Sequence, residues 1–122
     1  MANPIVHFEI MGNEDQKAQL QAFYRDTFDW EIQPMGDMQY GMVMKPEGEV
    51  GPGGAVDASP AGPGVVIYIG ADDIHAALAK AKANGAEVLM DVTTIPGMVT
   101  FAQFRDPADN VIGIVDNQMP EA

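Results

Sequence analysis

The order strand, helix, strand, strand, strand is written twice along these 122 residues. That repetition constrains the fold more than any single motif, because each copy is one supersecondary unit that must bury its apolar faces in the same way. The first copy runs from about residue 4 to 57 and the second from about 64 to 117. Residues 4–11 open the first copy and read Pro-Ile-Val-His-Phe-Glu-Ile-Met, with period-two alternation. Val6, Phe8 and Ile10 fall on one face and read as core. Ile5, His7, Glu9 and Met11 fall on the other, which sets an imidazole and a carboxylate side by side. A buried polar pair is costly unless it is hydrogen-bonded, so the partners of His7 and Glu9 become the central question.

Gly12-Asn13 makes the next turn, with Asn13 as N-cap and Glu14 and Asp15 at the positive end of the helix dipole. Leu20, Phe23, Tyr24 and Phe28 recur at three- and four-residue spacing, which predicts an amphipathic helix over 14–27. Trp30, Ile32 and Pro34 mark a short second strand, with Trp30 in the core or an interface. Residues 38–45 form a third strand, with Tyr40, Met42 and Met44 on one face. The glycine- and proline-rich segment 46–64 reads as loop, with a short strand at 53–57.

In the second copy, residues 65–70 are a strand and Asp72 or Asp73 caps a helix. Ile74, Leu78 and Ala81 point inward, His75 faces solvent, and Asn84-Gly85 ends the helix. Strands follow at 87–92, 98–105 and 111–116, with turns at Pro96-Gly97 and 106–110. Overlaying the copies puts His7 on Val66, Phe8 on Ile67, Glu9 on Tyr68 and Ile10 on Ile69. The helix-facing residues match between copies. The other faces would curl into a shared cleft.

Eighteen acidic against six basic residues give a net charge of −12, which repels nucleic acid and anionic membranes. The absence of cysteine excludes disulfides, thiolate metal sites and cysteine nucleophiles. No apolar run approaches the ~20 residues of a membrane span, and no signal-peptide pattern opens the chain, so the expectation is a cytoplasmic protein. The length suits one domain over residues 1–122. No Gly-x-Ser-x-Gly, P-loop or dinucleotide fingerprint occurs.

Four stretches carry a family resemblance: Val-His-Phe-Glu-Ile at 6–10, Phe-Tyr-Arg-Asp-Thr-Phe-Asp-Trp at 23–30, Ile-Gly-Ala-Asp-Asp-Ile at 69–74 and Phe-Arg-Asp-Pro-Ala-Asp-Asn-Val-Ile-Gly at 104–113. In that order and spacing they resemble the vicinal oxygen chelate superfamily of glyoxalases, bleomycin-resistance proteins and extradiol dioxygenases, and most closely its glyoxalase-like branch. The resemblance implies an α+β fold of two tandem βαβββ modules forming an eight-stranded open barrel or cleft with helices outside, commonly in a homodimer. It also implies a divalent metal ion held by the first and last strands of each module, acting as a Lewis acid. His7 matches the first-strand ligand. Val66 stands where the second module usually has its ligand, and Gly113 stands where the last strand usually has its glutamate. Asp109 replaces the usual turn glycine, and aspartate tolerates the left-handed conformation at modest cost.

The expected function is therefore binding of a small organic molecule in the cleft, with an incomplete metal site; whether this extends to catalysis stays open. Candidate cleft residues are His7, Glu9, Tyr68 and Gln103, the last alternating with Phe101 and Arg105. Glu9 would hold the His7 tautomer or raise its pKa by charge proximity. Tyr68 would bond Glu9 or a ligand, or fill the barrel. Two alternatives remain: a metal-dependent lyase, isomerase or dioxygenase whose non-standard metal set includes His7, and a drug-sequestering protein of the bleomycin-resistance kind suited to a cationic drug.

Overall fold

The computed structural model describes residues 3–117. The chain is α+β, with eight β-strands and two α-helices among those residues. It divides into two compact units, one from His7 to Val66 and the other made of residues up to Val6 together with those from Ile67 on.

In the first unit the elements are β1 (Ile5–Gly12), a 3-10 turn (Glu14–Gln16), α1 (Lys17–Phe28), β2 (Glu31–Met35), β3 (Tyr40–Met44) and β4 (Gly53–Ala58). The sheet order is β2-β3-β4-β1, with β1 and β4 parallel and the other pairs antiparallel. The second unit repeats the plan with β5 (Gly64–Ala71), α2 (Ile74–Ala83), β6 (Glu87–Ile95), β7 (Val99–Arg105) and β8 (Val111–Asp116). Its order is β6-β7-β8-β5, with β5 and β8 parallel. Each copy is thus a βαβββ module with its first and last strands paired, as the duplicated pattern requires.

The local reasons match the sequence at most termini. Asp73 caps α2 by accepting from the Ala76 N–H at 3.0 Å, and Gly85 ends it with φ +107°. At the first helix the Asn13 N–H donates to Gln16 Oε1 at 2.8 Å, which tightens the opening turn into 3-10 form, so the α-helix proper starts at Lys17 rather than residue 14. Asp29, with φ +59°, closes α1 by donating its N–H to the Arg25 carbonyl at 2.9 Å. Asp109 holds the expected left-handed conformation at φ +69°. Gln39 at φ +54° and Gly36 at φ +71° put residue 38 in the turn, so β3 begins only at Tyr40.

The second unit has the fuller core. Ile74 and Leu78 of α2 are buried against Ala71, Ala102 and Ile114, as the helical spacing predicts. The first unit corrects the expectation for α1. Phe23 and Phe28 are 55% and 57% exposed, and α1 contributes no fully buried residue. The helix is anchored through polar groups as well. Gln21 Nε2 donates to the Val56 carbonyl at 2.8 Å, and Lys17 Nζ meets Asp57 Oδ1 at 3.1 Å. The amide of Gln21 lies where a Cβ on Gly41 would stand, at 2.2 Å, so polar reach joins this helix to its sheet alongside the apolar contacts of Leu20 and Tyr24. Its aromatic rings gather at its C-terminal end, where Trp30 stacks on Tyr24 at 5.2 Å and meets Phe8 at 5.8 Å.

Candidate functional site

Gln21 against Gly41 and Phe8 against Gly54 mark the helix side of the first sheet. Tyr40, His7 and Glu9 therefore face away from α1. Residues that pair across the ladder share a face, and here His7 pairs with Gly53 and Glu9 with Ala55. Tyr40 sits on β3, two strands and about 9.6 Å from β1. Its side chain spans that distance because β4 offers only Gly53 and Ala55 beneath it. Tyr40 Oη lies 2.7 Å from Glu9 Oε2 and 2.9 Å from His7 Nε2. The phenol has one proton and gives it to the Glu9 carboxylate, so His7 Nε2 carries the proton that the phenol oxygen accepts. The result is a directional chain from His7 through Tyr40 to Glu9.

This chain is largely withdrawn from water. Glu9 is 9% exposed and His7 and Tyr40 are half-buried. Burial lowers the His7 pKa from its ordinary value, against an opposing upward pull from the Glu9 charge. Glu9 thus pulls this pKa upward as expected, but the larger effect of burial makes the net shift downward. Tyr40 stands between the two groups, and desolvation of the imidazolium outweighs the charge.

The second unit holds the other candidates in a parallel design. Tyr68 on β5 pairs with Gly113 on β8, which pairs with Gln103 on β7. Gln103 Nε2 donates to the Tyr68 hydroxyl at 2.8 Å. The Tyr68 ring lies directly on Gly113, where an added Cβ would stand 2.2 Å from Cδ2 and Cε2. Tyr68 is 4% exposed. The four residues named from the sequence therefore form two pairs, each within its own unit: His7 with Glu9, and Tyr68 with Gln103. Tyr40, which joins the first pair, was missed as a site residue. Its signal was the run of small residues at 53–55, which leaves room above the middle strand.

The donors present do not fit the divalent metal that the resemblance implies. His7 Nε2 is engaged by Tyr40, valine stands at 66, and the glycine at 113 is covered by a phenol ring. Among the described residues no three histidine, cysteine, aspartate or glutamate side chains come together. His75 is exposed on α2, as expected.

The model of the Glyoxalase/Bleomycin resistance protein/Dioxygenase superfamily matches residues 5–114. The chain belongs to that superfamily. Similar folds include methylmalonyl-CoA epimerase from Mycobacterium tuberculosis, with TM-score 0.66, 12% identity, 97% of this chain and 88% of that one covered. A superfamily member from Vibrio splendidus 12B01 gives TM-score 0.65 at 15% identity, with 94% and 99% covered. Homoprotocatechuate 2,3-dioxygenase from Brevibacterium fuscum gives 0.63 at 13% identity, with 97% of this chain but 37% of that one covered. Identities this low establish the shared fold alone. No curated protein sequence matches the chain. None of the described helices is long and apolar enough to cross a membrane.

Proposed function

We propose that this protein binds a small organic molecule on the sheet face that carries His7, Tyr40 and Glu9, and that it does so without the superfamily's usual metal. The observation behind this reading is the hydrogen-bonded chain itself, with its 2.9 and 2.7 Å contacts on a sheet face withdrawn from water. Such a chain offers a ligand both a neutral imidazole and a carboxylate whose charge is already partly balanced by a phenol proton. Met42 and Met44 share the Tyr40 face of β3 and would supply adaptable apolar contact. Tyr68 and Gln103 form a second polar pair of the same construction. The reading includes a homodimer, for which the exposed Phe23 and Phe28 supply apolar surface that a second copy would cover; it also places the protein in the cytoplasm.

Calorimetric titration of a small-molecule panel in the presence of a chelator tests the site. The expected ligand binds equally with and without chelator and loses about tenfold or more in affinity with Tyr40→Phe or His7→Gln. Binding that appears only with added Mn2+, Ni2+ or Zn2+, or that ignores both substitutions, would contradict the proposal. Sedimentation equilibrium of the full chain tests the homodimer.

A further inference from the structure

A groove of about 250 Å³ runs between α2 and β6 in the second unit. Leu78, Val88 and Val92 form its apolar floor, and His75, Lys82 and Asp91 line its rim. Opposite charges thus face one small cavity, yet Lys82 and Asp91 form no ion pair; among the described residues the ion pair is Lys17–Asp57. The Lys82 and His75 side chains also make no hydrogen bond among the described residues.

Asp91 lies in an irregular stretch of β6. β6 slips register against β7 twice, between Val88 and Met90 and again between Met90 and Thr93. Such bulges re-aim the side chains they carry. Here the Asp91 Oδ1 accepts from the Val92 N–H at 2.8 Å, and the Thr93 hydroxyl donates to the Asp91 carbonyl at 2.8 Å, which pins the irregular stretch. The other Asp91 carboxylate oxygen makes no hydrogen bond among the described residues, and Asp91 lines the groove. On α2, His75, Leu78 and Lys82 recur at helical spacing along one stripe, so the apolar floor lies between the two rim groups.

We infer that this groove is a binding site for a free α-amino acid with a branched apolar side chain, the carboxylate meeting Lys82, the ammonium meeting Asp91 and the side chain lying on Leu78, Val88 and Val92. A zwitterion satisfies both charges at once, which neither a simple anion nor a simple cation does. In a chain of net charge −12, a ligand with no net charge also escapes the general repulsion of anions.

The test is an NMR titration of the full-length protein with leucine, with 4-methylpentanoate (leucine without its amine) and with isoamylamine (leucine without its carboxylate). Leucine is expected to shift amides of residues 75–92 saturably in the range of about 1–10 mM, with each one-charge analogue weaker by about three- to fivefold. Lys82→Gln should weaken leucine and the acid but spare the amine. Asp91→Asn should weaken leucine and the amine but spare the acid. Both positions are exposed, so both variants fold. No saturable shift in that segment up to about 50 mM leucine would overturn the site. So would equal binding of all three probes, or leucine binding that neither substitution alters.

Discussion

Adding one methyl group at Gly113 should destabilise the protein, and removing the Tyr68 ring should abolish that cost. In Gly113→Ala the new Cβ would stand 2.2 Å from two Tyr68 ring carbons and 2.8 Å from Cγ. Carbon atoms prefer about 3.5–4.0 Å, so the ring must move by more than an ångström. Its neighbours resist this, since Tyr68 is 4% exposed and its hydroxyl accepts from Gln103 at 2.8 Å. Overpacking of this kind costs about 1–3 kcal/mol, and losing the Gln103 bond adds about 1 kcal/mol. The expected loss is about 2–4 kcal/mol, a fall in Tm of roughly 8–16 °C at about 4 °C per kcal/mol. Tyr68→Ala alone should cost about 3–5 kcal/mol. In the double variant the alanine at 113 has room, and its own effect should vanish or turn favourable by about 0.5 kcal/mol, because glycine loses more entropy on folding. Urea unfolding of the four proteins measures the coupling. Tyr68→Leu, which keeps a smaller apolar side chain but no flat ring, serves if Tyr68→Ala does not fold. Additivity within about 0.5 kcal/mol would refute the interlock. The same contact bears on metal chemistry: a glutamate introduced at 113 would have to displace the ring before it could reach a metal.

Other outcomes follow from named contacts. His7 has a folded-state pKa below its ordinary 6.5, so the unfolded chain takes up a proton first as pH falls. Its stabilising contribution is whole above that value and shrinks as pH drops through it towards the lower folded pKa; His7→Gln should flatten this part of the unfolding free energy measured between about pH 7 and pH 5. Tyr40→Phe leaves Glu9 and His7 each without the phenol and should cost about 1–3 kcal/mol by urea unfolding. Asp57→Asn should cost a similar ~1–3 kcal/mol by the same measurement, because Asp57 accepts from the Gly41 and Ala58 N–H groups and meets Lys17. Asp109→Val should lower stability by about 1–2 kcal/mol through its left-handed backbone, while Asp109→Gly should not lower it.

Most of the fold was legible because it rests on local rules. Period-two alternation located β1, helical spacing located α2 with Ile74 and Leu78 inward, and Asp73, Gly85 and Asp109 mark turns and caps through their own backbone preferences. The α1 expectation failed in part because hydrophobicity alone ranked Phe23 and Phe28 as inward. What faces the sheet was decided by Lys17 and Gln21 reaching Asp57 and the Val56 carbonyl, contacts 35 or more residues apart that no window of sequence contains. The strand end at Glu87–Val92 was extended to Ile95 by pairing with β7, again a nonlocal effect.

The site was half legible for a related reason. His7 and Glu9 were found together because they lie on one strand, and Tyr68 because the repeat laid it over Glu9. Their partners, Tyr40 and Gln103, lie two strands away within each unit's sheet. Only a small residue on the strand between lets such a side chain cross: Gly53 and Ala55 in one copy, Gly113 in the other. Both copies therefore join a side chain of the first strand to one of the third across a small residue of the last strand; in the first copy Tyr40 of the third strand makes the crossing, in the second the Tyr68 ring of the first strand does. The groups it joins differ, imidazole and carboxylate in one copy, phenol and amide in the other. Backbone pairing and the small middle residue maintain the crossing whatever groups it carries, so the chemistry was free to diverge while the fold was not. That is why membership in the superfamily follows from a match over residues 5–114, whereas the ligand positions that the resemblance implies must be looked for residue by residue, and those it implies at 66 and 113 hold a valine and a glycine.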